Sequence, residues 1–165
     1  MANEKAFKLM YEAHINDIYL YLYWRTNDPD MANDLTSEVF TKAWQGWDKF
    51  DGKYPKAWFF TIAKNQLTDH WRKKKDLPLD DELVENSIDS SRPTAELIDR
   101  ELDNRKLYKA LKILPDTMRE VVELKILNSL SAKETGEIIG LSEANVRIIQ
   151  HRAIKRLKEW YEKNL

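Results

Sequence analysis

Between residues 47 and 58 the chain reads WDKFDGKYPKAW, with Trp47, Phe50, Tyr54 and Trp58 alternating with Lys49, Lys53 and Lys56. Rings interleaved with ammonium groups suit a single nucleic-acid strand, because bases stack on the rings while phosphates meet the charges. Asp51-Gly52 and Tyr54-Pro55 both interrupt regular structure, so the stretch is expected to be a loop. Each ring has two possible roles. Trp47 and Trp58 are expected to anchor the loop in a core, while Phe50 and Tyr54 stand evenly between anchoring and base contact. Downstream, Lys64, Asn65, Thr68, Arg72 and Lys73 share the polar face of a helix that ends in RKKK at residues 72–75. Such an end can merely complement a helix dipole. Directly after an aromatic-lysine loop it suits a phosphate-binding surface.

A second chemistry lies between Glu143 and Lys158, which hold five Lys or Arg and one acid. At about 100° per residue, Val146, Ala153 and Leu157 fall on one side, flanked by Ile149, Gln150 and Trp160. Arg147, Ile148, His151, Arg152 and Lys155 fall on the other. The first side must pack on the protein; the second suits the major groove of duplex DNA. The flanking residues supply the means of presenting it. Ser131 and Glu134 make a capping-box pattern that starts one helix, and Gly140 stops it. Ser142 caps the next helix, with Leu141 and Val146 at the staple positions. A short helix, a Gly-containing turn and a longer basic helix form the helix-turn-helix pattern.

The remaining elements follow from apolar spacing. A first helix is expected over about Glu4–Trp24, with Phe7, Met10, Tyr11, His14, Ile15, Ile18, Tyr21 and Leu22 on its stripe and His14 part of the core. Asp28 is expected to cap a second helix that has Pro29 at its first position and runs to Gly46. This helix carries Met31, Leu35, Val39 and Ala43 with the aromatics Phe40 and Trp44, and Asp34, Glu38, Thr41 and Lys42 share one face. A third helix is expected from Pro55 to Lys75. Helical spacing returns near Pro93 and passes through Leu97, Ile98, Leu102, Leu107, Leu111 and Leu114 to Pro115. Asp116 is then expected to cap a helix reaching Leu127.

Residues 1–75 carry a net charge of +2, residues 76–106 one of −6 and residues 107–165 one of +3. The acidic middle, DLPLDDELVENSIDSSRPTAE, has two Pro and no aromatic residue and reads as a linker. The expected fold is all-α, with two small helical domains at 1–75 and 107–165 joined by an acidic tether at 76–106. The overall charge of −1 excludes a generally basic nucleic-acid coat, so DNA binding must come from local patches. The chain has no Cys, which removes disulfides and Cys-based zinc sites. His14, His70 and His151 are far apart, and no metal spacing, phosphate loop or nucleophile elbow occurs, so neither an enzyme nor a cofactor or metal site is expected. MANEKAFK has no signal-type apolar region, and no apolar run of about 18 residues appears. A cytoplasmic protein without membrane insertion is expected.

Taken in order, these stretches resemble a bacterial extracytoplasmic-function (group 4) RNA polymerase sigma factor. Phe7 to Lys75 is similar to sigma region 2, and Leu107 to Lys158 to sigma region 4. DMANDLTSEVFTKAW, residues 30–44, resembles the family's acidic segment that grips the clamp helices of the polymerase β′ subunit. FDGKYPKAWFFTIAKNQLTDHWRKKK, residues 50–75, resembles its minus-10 reader. LPDTMREVVELKILNSLSAKETGEIIGLSEANVRIIQHRAIKRL resembles its minus-35 reader. The resemblance implies that Asp34, Leu35 and Glu38 contact core polymerase. It implies that Phe50, Asp51, Gly52, Lys53 and Tyr54 form a loop over a flipped minus-10 base, with Asn65 in that base's pocket and Lys64, Arg72 and Lys73 beside it. Asn145, Arg147, Ile148, His151, Arg152 and Lys155 would then read the minus-35 element. The implied partners are core RNA polymerase (β′ clamp helices and β flap), promoter DNA and an anti-sigma factor.

Three departures from the family pattern carry expectations. Ser37 and Asn33 stand where Gln and Glu are usual, so one clamp hydrogen bond should weaken. Thr135-Gly136 replaces Ile-Ala and should loosen packing of the first helix of the helix-turn-helix. Ile148-Ile149 replaces Ser-Arg, and phasing turns Ile148 outward, where it can meet a thymine methyl but donate no hydrogen bond. The competing reading is an ordinary helix-turn-helix regulator that binds duplex without polymerase. It has no use for a base-stacking loop.

Overall fold

The computed structural model describes residues 2–76 and 105–164, and all regular elements among them are helical. The chain divides into two compact units, Met1–Arg92 and Pro93–Leu165. The acidic stretch and the apolar positions Leu97, Ile98 and Leu102 lie outside the described residues.

The first unit contains α1 (Ala2–Thr26), α2 (Pro29–Gln45) and α3 (Pro55–Asp76). Asn27 takes the left-handed conformation at φ 54°, and its N–H donates to Tyr23 O at 2.7 Å, closing α1. Asp28 caps α2 by accepting from the N–H groups of Asp30 and Met31, at 3.0 and 3.3 Å, with Pro29 at the first position. The three helices bury Ile18, Tyr21, Leu22, Ala32, Val39, Ala43, Phe59, Phe60 and Ala63 completely. Phe60 meets Tyr21 edge-on, with ring centroids 5.4 Å apart. Aromatic contacts of this kind add about 0.5–1.5 kcal/mol each beyond buried area.

The second unit contains α4 (Arg105–Lys112), α5 (Asp116–Val121), a π-helical turn (Val122–Leu127), α6 (Ala132–Ile139) and α7 (Glu143–Lys163). The expected single helix from Asp116 to Leu127 is therefore interrupted. Asn128 causes the widening, because its backbone N–H and its side-chain amide both donate to Glu123 O, at 3.1 and 2.8 Å. Asp116 is also not the cap. Pro115 occupies that position without a side-chain bond, and Asp116 pairs with Arg119 at 2.5 Å. The capping box of α6 is formed as expected. Ser131 Oγ accepts from Glu134 N–H at 3.0 Å, and Glu134 Oε1 accepts from Ser131 N–H at 3.1 Å.

Two apolar clusters hold this unit. Leu111, Leu114, Val122 and Ala153 form one, and Val121, Ala132 and Val146 form the other, with Leu141 and Ile149 packed on it. Gly136 decides how closely the helix-turn-helix closes. Its carbonyl accepts from both Gly140 and Leu141, at 2.8 and 2.9 Å, and a Cβ built on it would collide with the Leu141 carbonyl oxygen. Gly136 thus lets the turn close where an added methyl would obstruct it, the opposite of the loosening expected at this position. Thr135 is fully buried, and its Oγ1 has no hydrogen-bond partner. Because an unpaired buried hydroxyl costs about 1–3 kcal/mol, Thr135→Val should stabilise the unit by about 1 kcal/mol. Calorimetric melting should show its transition raised by a few degrees.

Candidate polymerase and promoter surfaces

The loop after α2 is shaped by its own rings. Phe50 stacks on Trp58 with centroids 4.4 Å apart and on Trp47 at 5.4 Å, and Phe7 meets Trp47 edge-on at 5.3 Å. Phe50 is therefore an anchor, together with Trp47 and Trp58. Tyr54 is the ring left over, 69% exposed and held at φ 54°. The turn between them is built by Asp51, whose Oδ1 accepts from Lys53 N–H at 2.9 Å, and by Gly52 at φ 81°, a conformation that favours glycine. Lys53 and Tyr54 therefore project into solvent. Lys56 is engaged by Asp17 of α1 at 3.6 Å and is not a phosphate contact of the same kind.

His14 lies under this region, tilted against Phe59 with centroids 5.6 Å apart. Burial, reinforced by Lys56 and opposed by Asp17, lowers its pKa below 6.5. It is a half-buried ring on the apolar stripe, and its burial disfavours the charged form.

Along α3, Asn65, Thr68, Arg72, Lys73, Lys74 and Lys75 are exposed, and Lys64 is half-buried. Arg72 pairs with Asp69 at 2.8 Å. Lys74 lies over the Trp71 ring, 5.2 Å from its centroid. Asn65 follows Tyr54 by eleven residues, about 16 Å of helix rise. A strand meeting both must therefore run along α3, and this spacing favours contacts with two bases over the single-base pocket that the resemblance implies.

On α2, Asp34 and Glu38 present their side chains to solvent, as do Ser37, Thr41 and Lys42. Leu35 does not. It is 4% exposed, because it continues the core stripe of Val39 and Ala43. An outward contact through Leu35 is corrected to a packing role, leaving the two carboxylates as the exposed members of that set. Beside them a cleft of about 380 Å³ opens between α2 and α3, lined by Asp28, Met31, Asp34, Glu38, Gln66 and His70 among others. Gln66 was not singled out by sequence. Its signal is an uncharged polar residue on the stripe of Ala63 and Leu67.

In the second unit Ser142 Oγ accepts from Asn145 N–H at 3.2 Å and starts α7. Val146 and Ala153 are fully buried, while Asn145, Arg147, Ile148, His151, Arg152 and Lys155 are all exposed. Ile148 points outward at 49% exposure, and its neighbour Ile149 packs on the core. The phasing expected from sequence holds, because both faces lie on one uninterrupted helix. Arg147 pairs with Glu143 at 2.6 Å. An exposed pair of this kind contributes about 0.2–1 kcal/mol, so the guanidinium is easily released to another anion.

Among the described residues no group of three or more His, Asp or Glu could hold a metal ion, and no helix is long and apolar enough to cross a membrane. The arrangement suits binding. One unit carries an acidic helix face, a projecting tyrosine and a basic helix end, and the other carries a basic helix-turn-helix.

Residues 10–76 match the Sigma-70 region 2 family, and residues 110–159 match the Sigma-70, region 4 family. The chain is 32% identical over 161 residues to the ECF RNA polymerase sigma factor SigM of Bacillus subtilis, covering 94% of this chain and 95% of that protein. It is 30% identical over 168 residues to the ECF RNA polymerase sigma factor SigW of the same organism, covering 95% and 89%. Among solved structures, the sigma factor RpoE of Bartonella quintana, in complex with the anti-sigma factor NepR, superposes with a TM-score of 0.75 at 26% identity, over 96% of this chain and 98% of that one. CnrH, in complex with the cytosolic domain of CnrY, shares the fold with a TM-score of 0.71 at 21% identity, over 98% and 91%. Two sigma regions in the expected order, together with a full-length relative at this identity, show that the chain belongs to the ECF RNA polymerase sigma factors.

Proposed function

We propose that this chain directs core RNA polymerase to promoters by reading a minus-10 and a minus-35 element and holding the melted minus-10 strand open. The observation that carries this is the pairing, in one unit, of an acidic α2 face with a loop whose Tyr54 is 69% exposed beside the basic end of α3. Duplex reading alone needs neither feature, so a polymerase-independent helix-turn-helix regulator is not favoured.

In this reading Asp34 and Glu38 meet the clamp helices of the β′ subunit. Tyr54 stacks on an unpaired base and Lys53 meets a neighbouring phosphate, while Asn65 hydrogen-bonds a base edge farther along α3. Lys64, Arg72 and Lys73 track the backbone. Asn145, Arg147, Ile148, His151, Arg152 and Lys155 enter the major groove upstream, with the same unit near the β flap. Domains at 1–75 and 107–165 on a tether at 76–106 would give each weak site a high effective concentration for the other. That fits a chain of net charge −1 acting within a larger complex. The role is binding and not catalysis, the compartment is the cytoplasm, and an anti-sigma factor is the expected antagonist.

Run-off transcription with purified core polymerase on a promoter library tests this. Initiation dependent on the chain is expected, and its absence overturns the proposal. In the same assay Ile148→Ser should change the preferred base at one minus-35 position, shifting its relative use several-fold, because a methyl contact is worth about 1 kcal/mol and serine offers a hydrogen bond in its place. An unchanged promoter profile would remove Ile148 from the reading face.

A further inference from the structure

We infer that Gln66 is a positioning residue that keeps the Glu38 carboxylate open to a cationic group of the polymerase. The inference rests on the proposed polymerase contact of Glu38. Glu38 and Lys42 are one helical turn apart on α2, in the order that favours a direct ion pair along a helix. Gln66 of α3 comes between them. With its amide assigned the orientation in which each end meets a complementary group, nitrogen donates to Glu38 Oε2 at 3.2 Å and oxygen accepts from Lys42 Nζ; the opposite assignment would set oxygen against the carboxylate and nitrogen against the ammonium.

Gln66 is 6% exposed, packed between Ala63 and Leu67 on the inner side of α3, so its amide has little freedom to leave. The two outer side chains are exposed and would be mobile alone. The buried amide thus does two things. It fixes one carboxylate oxygen of Glu38 through a neutral donor, which leaves the negative charge in place. It also occupies Lys42, which would otherwise cover that charge. An amide suits both tasks because it donates at one end and accepts at the other. A hydrocarbon of the same length does neither, and Lys42 would then close onto Glu38.

The test measures affinity of the full chain for core polymerase, with melting curves for each variant. Gln66→Met should weaken binding about three- to fivefold at low salt, the scale of one exposed charge pair. The deficit should shrink at about 0.5 M salt, where such a pair is screened. Adding Lys42→Met to Gln66→Met should restore affinity to that of Lys42→Met alone, an effect that a merely structural role of Gln66 would not produce. Wild-type affinity for Gln66→Met, or an equal loss with and without Lys42, overturns the inference. Wild-type affinity for Glu38→Gln overturns the polymerase contact itself. Should Gln66→Met melt below the assay temperature, Lys42→Met in the otherwise unchanged chain decides. Affinity within about twofold of wild type is then expected, because Gln66 already keeps Lys42 off Glu38, and a gain of about threefold or more would show that Lys42 covers the carboxylate despite Gln66 and overturns the inference.

Discussion

Replacing Tyr54 and Asn65 together by alanine is expected to lower open-complex formation roughly a hundredfold or more while leaving affinity for core polymerase within about twofold of wild type. The estimate combines about 1–3 kcal/mol for one stacked base with about 1–3 kcal/mol for one base-edge contact. The two losses should be nearly additive. Their positions are eleven residues apart, about 16 Å of helix rise, and in the proposed reading they meet different bases. Neither change should unfold the unit, because both side chains are exposed and the loop is held by the Trp47–Phe50–Trp58 stack. Permanganate reactivity of unpaired thymines measures the opening, and a competition assay measures the binding. Tyr54→Phe should retain most activity, since the ring and not the hydroxyl does the stacking. A loss of polymerase binding in the double variant would contradict the division of labour between α2 and α3.

Gly136→Ala should destabilise the second unit by about 1–3 kcal/mol, the usual range for overpacking. Local propensity predicts the opposite sign, because Ala is favoured over Gly in a helix by about 1 kcal/mol. The collision wins because the obstacle is the backbone carbonyl of Leu141, which cannot rotate aside as a side chain could. That carbonyl lies in the turn between α6 and α7, so relieving the clash means opening the angle that presents Arg147 and His151. Thermal melting should show a lowered transition for this unit. Minus-35-dependent initiation should fall with it, while a promoter driven by its minus-10 element should be less affected. An unchanged or raised transition would show that the turn can relax around an added methyl.

Four helix ends were legible residue by residue. Asp28, Ser131, Ser142 and Gly140 act at the termini where their chemistry places them, because a cap is a contact over two to four residues. The outward face of α7 was legible as well, down to Ile148 exposed and Ile149 packed. The break at Val122 was not, because the widened turn depends on how Asn128 folds back onto Glu123. Nor was the cap at Pro115, since Asp116, an ordinary cap residue, was expected in that place.

The loop shows where local pattern stops. WDKFDGKYPKAW states that rings and lysines alternate, and the sequence by itself determined that a loop with this chemistry precedes a basic helix. Only the tertiary structure decided that Phe50 is spent on Trp58 while Tyr54 is left in solvent. It also set Gln66 between Glu38 and Lys42. Each of these depends on which surface of another element arrives opposite a side chain. Periodicity along one helix gives the direction in which a residue points, and packing between helices gives what it meets there.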